Sequence, residues 1–340
     1  MMRNPPHPYT THVDWDVPPP PAKLVLRWDY ARTLLRRNNS PDIGFHYSVN
    51  PYRGCTHACA YCYARRTHEH LDLGAGEDFD RILYVKQGAA GLLREAFDKP
   101  SWKGDVVVMS GVTDPYQPVE RRLQVTRTLL EVFAAYRNPV RILTRSPLVV
   151  RDIDLLAPLA THGAVRVQVS IPVGDPGLCT ALEPGAPPPR ARFRAMRALA
   201  DAGIPVGVSL APVLPGISES VIPQTLIAAA DAGASWAIMS LLRLPGAVEQ
   251  VFYDRLAQKL PRRVEPLRAR LDALRAAQVG PGRADTRFGE RLRGAGPAWQ
   301  ATQDLFDLWC RKLGLHASQP ESGGPSPFRR PGHGLQLGLF

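Results

Sequence analysis

Three cysteines stand within eight residues, at Cys55, Cys59 and Cys62, with three and then two residues between them. A chain carrying this pattern must fold so that three thiols face one point, because thiolates are soft ligands that suit iron–sulfur clusters or zinc. The other two of the five cysteines, Cys179 and Cys310, stand alone. An odd number, with three crowded into one loop, excludes the disulfide framework of a small secreted domain.

A cubane cluster has four irons, and this loop offers three thiolates. One iron is then left open to an outside ligand, a catalytic arrangement by the same logic that separates open from closed zinc sites. Structural zinc is the alternative. It normally pairs a C-x-x-C unit with a second pair, or with histidines at finger spacing. His57 within the loop, and His68 and His70 after it, keep that alternative open; His57 itself reads as a loop residue or an outer neighbour of the ligands.

Beyond the loop, short apolar runs alternate with amphipathic stretches. Candidate strands fall at 81–85, 105–109, 140–143, 165–170, 205–210 and 236–241. Helix-like segments fall at 89–97, 121–135, 153–160, 191–202 and 222–232. Alternation of this kind builds βαβ units and a parallel sheet, and six strands suggest a partial barrel whose strand carboxyl ends carry the chemistry. The expected organisation is an extended, proline-rich arm over 1–40, the barrel over 41–246, a helical extension over 247–315, and a tail over 316–340 that is disordered by composition.

Of the 340 residues, 44% are hydrophobic and 21% charged, and the formal net charge is +11. A basic balance favours nucleic acid as a partner, and Arg121, Arg122, Arg127, Arg262, Arg263, Arg291 and Arg293 could meet phosphates. Abundant Arg, Ala and Pro with little Lys is equally well explained by coding bias. No apolar run is long enough to span a bilayer, and the polar start lacks the apolar core of a secretory signal. A cytoplasmic protein is expected.

The loop Asn50-Pro51-Tyr52-Arg53-Gly54-Cys55, followed by Tyr61-Cys62-Tyr63-Ala64-Arg65, resembles the radical S-adenosylmethionine (SAM) superfamily. With S-G-V-T-D-P-Y-Q-P-V-E at 110–120 and D-T-R-F-G at 285–289, it is similar to uncharacterised bacterial relatives of spore photoproduct lyase. The resemblance runs from about residue 48 to 293. It implies an α/β fold, a partial (β/α)6 barrel of the radical SAM type with a helical C-terminal extension and the cluster loop after the first strand. It implies a [4Fe–4S] cluster on Cys55, Cys59 and Cys62, with SAM chelating the open iron through its amino and carboxylate groups. Tyr61 would then pack near the adenine. Thr113 and Asp114, with Ser110 beside them, would accept from the methionine ammonium, although either could instead cap the next helix. Arg145 and Ser170 match two further cofactor contacts; Arg could pair with the carboxylate, where many relatives carry Lys. Gly207 and the 212–216 turn would allow close approach of adenosine.

One departure stands out. Spore photoproduct lyase places a hydrogen-donating cysteine just before its Thr/Ser-Asp step, whereas Met109-Ser110-Gly111-Val112 holds none. Cys179 is the spare thiol that could reach the barrel mouth as a catalytic group; Cys310 reads as a buried helix face.

The functions that follow are a radical enzyme acting on DNA in a repair context, a radical enzyme modifying RNA, a peptide or a metabolite, or a non-catalytic cluster-bearing partner or sensor. An open iron argues against the last. An electron donor such as flavodoxin or ferredoxin is implied as a partner. The final five residues, with Gln336, Leu337, Leu339 and Phe340, resemble the pentapeptide by which bacterial repair and replication proteins bind the sliding clamp. Large apolar residues at the end of a flexible tail gain nothing unless a partner buries them.

Overall fold

The computed structural model describes residues 23–42, 44–279, 291–318 and 324–331. The D-T-R-F-G segment, the pentapeptide at 336–340 and the first part of the arm lie outside the described residues. The strands are β1 (Val25–Asp29), β2 (Arg36–Arg37), β3 (Tyr47–Val49), β4 (Tyr52–Arg53), β5 (Ile82–Lys86), β6 (Val107–Met109), β7 (Val140–Thr144), β8 (Val165–Ser170), β9 (Val206–Val213) and β10 (Trp236–Leu241). A seven-stranded sheet has the order β10-β9-β8-β7-β6-β3-β2, and a three-stranded sheet the order β1-β5-β4.

From β3 to β10 the larger sheet is parallel and runs in chain order, with β2 added antiparallel at one edge. Helices Ala89–Asp98, Val125–Tyr136, Ile153–Thr161, Pro189–Asp201 and Ile222–Asp231 connect the strands. Each crossover returns the chain to the same edge, which is how a parallel sheet curls into an open barrel. Val107, Val140, Val165, Val167 and Val206 bury against Leu129, Phe133, Leu156, Leu199 and Leu226 of these helices. Each such side chain contributes roughly 1.5–3 kcal/mol on burial.

One strand differs from expectation. The first barrel strand is β3, directly before the cysteine loop, while segment 81–85 falls largely in β5 of the small sheet. The reason lies in pairing: β5 lies parallel to β1 and antiparallel to β4, and packs Leu83 and Val85 against Tyr52 and Val119. A three-residue strand such as β3 is too short for its alternation to register in a sequence.

The C-terminal helices do not hang free. Ala247–Lys259 and Val264–Val279 share a second core with the cysteine loop, in which Tyr61 and Leu182 join Phe252, Leu256, Leu267 and Leu271. Helix Pro297–Leu313 buries Phe306 and Cys310 in the main core. Residues 324–331, within the stretch whose composition reads as a disordered tail, are held against the body. The Phe328 ring lies 6.2 Å from that of Tyr136, nearly parallel to it, and Arg330 donates to the carbonyls of Phe97, Lys99 and Trp102. Among the described residues no helix is long and apolar enough to cross a membrane.

Candidate active site

Cys55, Cys59 and Cys62, all free thiols, line one cavity of about 90 Å³ at the carboxyl ends of the barrel strands. Ser110 follows β6, Arg145 follows β7 and Ser170 ends β8; all three share that wall with Thr113 and Asp114. Among the described residues no three His, Cys, Asp or Glu side chains converge on a position for one metal ion. Three thiols spread around a cavity instead suit a polynuclear cluster, and this donor set fits [4Fe–4S].

The loop is fixed by its backbone. Gly54 has φ +79°, and a Cβ there would lie 2.8 Å from the Ile82 carbonyl, so this position requires glycine. Buried Arg65 donates twice to the Cys59 carbonyl, at 2.9 and 2.8 Å, and also to Ala75, Gly76 and Asp80. Arg255, from the helix Ala247–Lys259, donates to the Ala58 carbonyl at 2.6 Å and pairs with the other oxygen of Asp80. Gln117 bridges the far end, donating to the Gly54 carbonyl at 3.0 Å and accepting from the Thr56 amide at 3.0 Å.

The S-G-V-T-D segment serves the same end. The Thr113 hydroxyl donates to the Gly54 carbonyl at 2.7 Å and accepts from Gln117. It ties the turn to the cysteine loop. Asp114 accepts from the Tyr116 amide, the Thr144 hydroxyl and the Arg145 amide at 2.9, 2.6 and 2.9 Å, with His57 Nδ1 3.4 Å away. Burial pushes its pKa up, but His57 and these donors outweigh that and hold it at about 2. Burial likewise pushes His57 down, yet Cys55 and Asp114 outweigh it and raise its pKa to about 9. Asp114 therefore carries a capping contact within the turn, and its carboxylate already faces donors at both oxygens. Ser110 is bent back on the turn, its hydroxyl donating to the Thr113 carbonyl at 3.0 Å.

Arg145 reaches across the cavity. Its Nη1 lies 2.6 Å from Cys59 Sγ, 3.2 Å from the Tyr61 hydroxyl and 3.1 Å from Glu183 Oε1. Glu183 is fully buried and also accepts from the Tyr61 hydroxyl and from Arg192, which in turn donates to the Ser170 carbonyl at 2.9 Å. Burial opposes ionisation of Glu183, but Arg192 and Arg145 override it and hold its pKa at about 2.

This network places two of the expected residues off the cavity wall. Tyr61 does not line the cavity: it is buried with its hydroxyl on Glu183, and the aromatic residues on the cavity wall are Phe79 and Tyr63, the latter 52% exposed. Cys179 does not line it either. Its sulfur sits between Glu183 and Arg192, 3.4 and 3.3 Å away, and burial, with Glu183 adding to it, pushes the thiol up to about 12. Sequence reasoning missed Arg65, Gln117, Glu183, Arg192 and Arg255. Arg65 and Gln117 belong to the two stretches that carry the family resemblance, so a signal existed; the other three had none.

A larger chamber of about 460 Å³ adjoins the first, sharing Tyr63, Ser110, Gly111 and Leu143. Arg141, Gln168, Met239 and Arg293 are on its wall. Gly207 does not serve adenosine here. It lies within β9, and a Cβ on it would meet the Trp236 indole at 2.1 Å.

The family model of the Radical SAM superfamily matches residues 49–227. Uncharacterised proteins of Mycobacterium tuberculosis and Mycobacterium bovis are each 40% identical over 232 residues, 68% of either chain. An uncharacterised protein of Methanocaldococcus jannaschii is 30% identical over 176 residues, 52% of this chain and 63% of its own. Spore photoproduct lyase complexed with dinucleoside spore photoproduct superposes with a TM-score of 0.60 at 17% identity, over 86% of this chain and 81% of the lyase. The shared fold, the matched sequence and the three thiols at the barrel's carboxyl end agree: the chain belongs to the radical SAM superfamily.

Proposed function

We propose that this radical SAM enzyme acts on a nucleic acid, in the context of DNA repair. The observation that carries the reading is the joined pair of cavities. One is walled by three thiols and three successive strand ends, and the other carries Arg141 and Arg293 beside it. When bound, the [4Fe–4S] cluster and SAM supply reductive cleavage of the sulfonium to a 5′-deoxyadenosyl radical, which abstracts hydrogen from the substrate. Cys55, Cys59 and Cys62 would each hold one iron. Arg145 offers a guanidinium to the cofactor carboxylate, a pairing that its planar fork favours. Tyr63 turns a ring toward both cavities, where it can cover a purine face. Buried Glu183 and Arg192 keep Arg145 and the β8 terminus in place and keep water from the thiols' far side.

Nucleic acid is favoured over a peptide or a metabolite by the arginines of the chamber and the net basic charge. The solved lyases of the same fold include one with bound AdoMet and dinucleoside spore photoproduct. A small ferredoxin or flavodoxin would supply the electron. The pentapeptide ending at Phe340 would bring the enzyme to DNA through the sliding clamp.

Anaerobic reconstitution followed by dithionite, SAM and deuterated DNA oligonucleotides, ultraviolet-irradiated or intact, tests the reading. Deuterium in 5′-deoxyadenosine is expected, and Cys55→Ala, Cys59→Ala or Cys62→Ala should each abolish both the brown absorption and the cleavage. Cleavage without deuterium transfer from any oligonucleotide would exclude these DNA substrates; cluster retained in all three variants would remove the ligand assignment.

A further inference from the structure

Gln168 is 6% exposed, points from β8 into the larger chamber, and leaves its amide nitrogen with no hydrogen-bond partner among the described residues. Its oxygen is taken. The Trp236 indole N–H donates to Gln168 Oε1 at 2.5 Å. Indole nitrogen is a donor only, so this contact fixes which end of the amide faces the tryptophan and which faces away.

The lock has its own architecture. Gln168 pairs with Gly207 on β9, and Gly207 pairs with Trp236 on β10. The missing side chain at Gly207 lets the indole cross the middle strand, since a Cβ there would overlap it at 2.1 Å. Trp236 is itself fully buried. Three neighbouring strands thus cooperate to hold one amide in one orientation, its buried N–H2 left without a partner among the described residues at the chamber wall. A buried donor left unsatisfied costs about 1–3 kcal/mol. Such a group is tolerated where a ligand completes it.

With its oxygen turned to Trp236, Gln168 has its amide donor as the group still without a partner. The partner it fits is a carbonyl or ring-nitrogen acceptor on a flat, largely apolar ligand, because Phe45, Ile142 and Met239 share the chamber wall. Arg141 and Arg293 add cationic charge to the same wall.

We propose that Gln168 is the residue that recognises the substrate. Its amide donates to a carbonyl oxygen of a nucleotide base whose phosphate lies toward Arg141 and Arg293, an assignment that rests on the nucleic-acid reading above. The donor suits a base that turns a carbonyl toward it, thymine among them.

The test uses the reconstituted holoenzyme, equilibrium dialysis, and two probes: the thymidine dinucleotide pTpT and its counterpart lacking both bases. Gln168→Glu keeps the acceptor for Trp236 and removes the donor. It should weaken pTpT about tenfold or more and the abasic probe by no more than about threefold. Trp236→Phe leaves Gln168 in place but frees its amide to rotate, and should weaken pTpT about three- to tenfold. Iron content and brown absorption report whether each variant is folded. Equal losses for both probes in Gln168→Glu would show simple charge repulsion and overturn the assignment; so would unchanged pTpT binding in both folded variants. Should the wild-type enzyme cleave SAM yet bind neither probe, the nucleic-acid reading itself fails, a result distinct from failure at Gln168.

Discussion

The two cavities share a wall but are built on opposite principles. Around the cysteine loop Arg65, Arg255 and Gln117 hold the loop carbonyls, and Glu183 sits between two arginines. On the chamber side the wall carries Asp42, Arg141 and Arg293, and Gln168 keeps a donor without a partner among the described residues. A site whose chemistry comes from a cofactor needs rigid placement and little variety. A site that must distinguish one substrate from another needs groups that only the right ligand satisfies. On the proposed function, the cysteine wall would be the part common to the superfamily and the chamber the part particular to its substrate.

If the cysteine wall is a rigid frame, removing a strut should damage it more than any change in the chamber would. Arg65→Met deletes five hydrogen bonds at a buried site. It should cost about 3–5 kcal/mol of stability and lower the iron content after reconstitution; thermal unfolding and iron assay read both. A variant as stable as wild type, with full iron content, would show that the loop does not depend on this clamp. Glu183→Gln removes the charge that separates Arg145 from Arg192. SAM binding should weaken about tenfold, near 1.4 kcal/mol, with the turnover number falling less, as steady-state kinetics would show. An unchanged KM would detach Arg145 from the cofactor. The smallest effect is expected at Cys179. Its thiol titrates at about 12, so it is protonated throughout the ordinary range and becomes a thiolate only as pH climbs toward that value. At pH 8 roughly one molecule in ten thousand carries the thiolate. Iodoacetamide should leave it unmodified until denaturant is added, and Cys179→Ser should keep SAM cleavage within about twofold. Rapid labelling of the folded protein, or loss of cleavage, would return Cys179 to the catalytic site and blur the contrast.

The features legible in the sequence were local ones. Cysteine spacing identifies a loop, and alternating apolar periods identify strands and helices wherever elements are long enough. The strand β3 escapes because three residues carry no period. Segment 81–85 reads correctly as a strand but not as to its sheet, since pairing with Val25–Asp29 is a long-range fact. Buried charges are the hardest to see. Glu183, Arg192 and Arg255 look in sequence like any solvated surface residue, and only the fold shows that each is enclosed by its partners. Gly207 signalled a close approach without saying of what; the answer lies on a neighbouring strand. Resemblance implies that Thr113 and Asp114 meet the cofactor; both line the cysteine cavity, and their side-chain bonds are to the protein itself.

The contact between Arg255 and the Ala58 carbonyl spans 197 residues of chain. On a ribosome adding about 5–20 residues per second, roughly 10–40 seconds separate the synthesis of its two ends. During that interval the cysteine loop has emerged while its final clamp has not been made. A nascent chain therefore exposes three thiols in an unfinished setting, and iron delivered then meets a loop free to bind in the wrong geometry. Only a chain translated past Arg255 can make this last clamp on the cysteine loop.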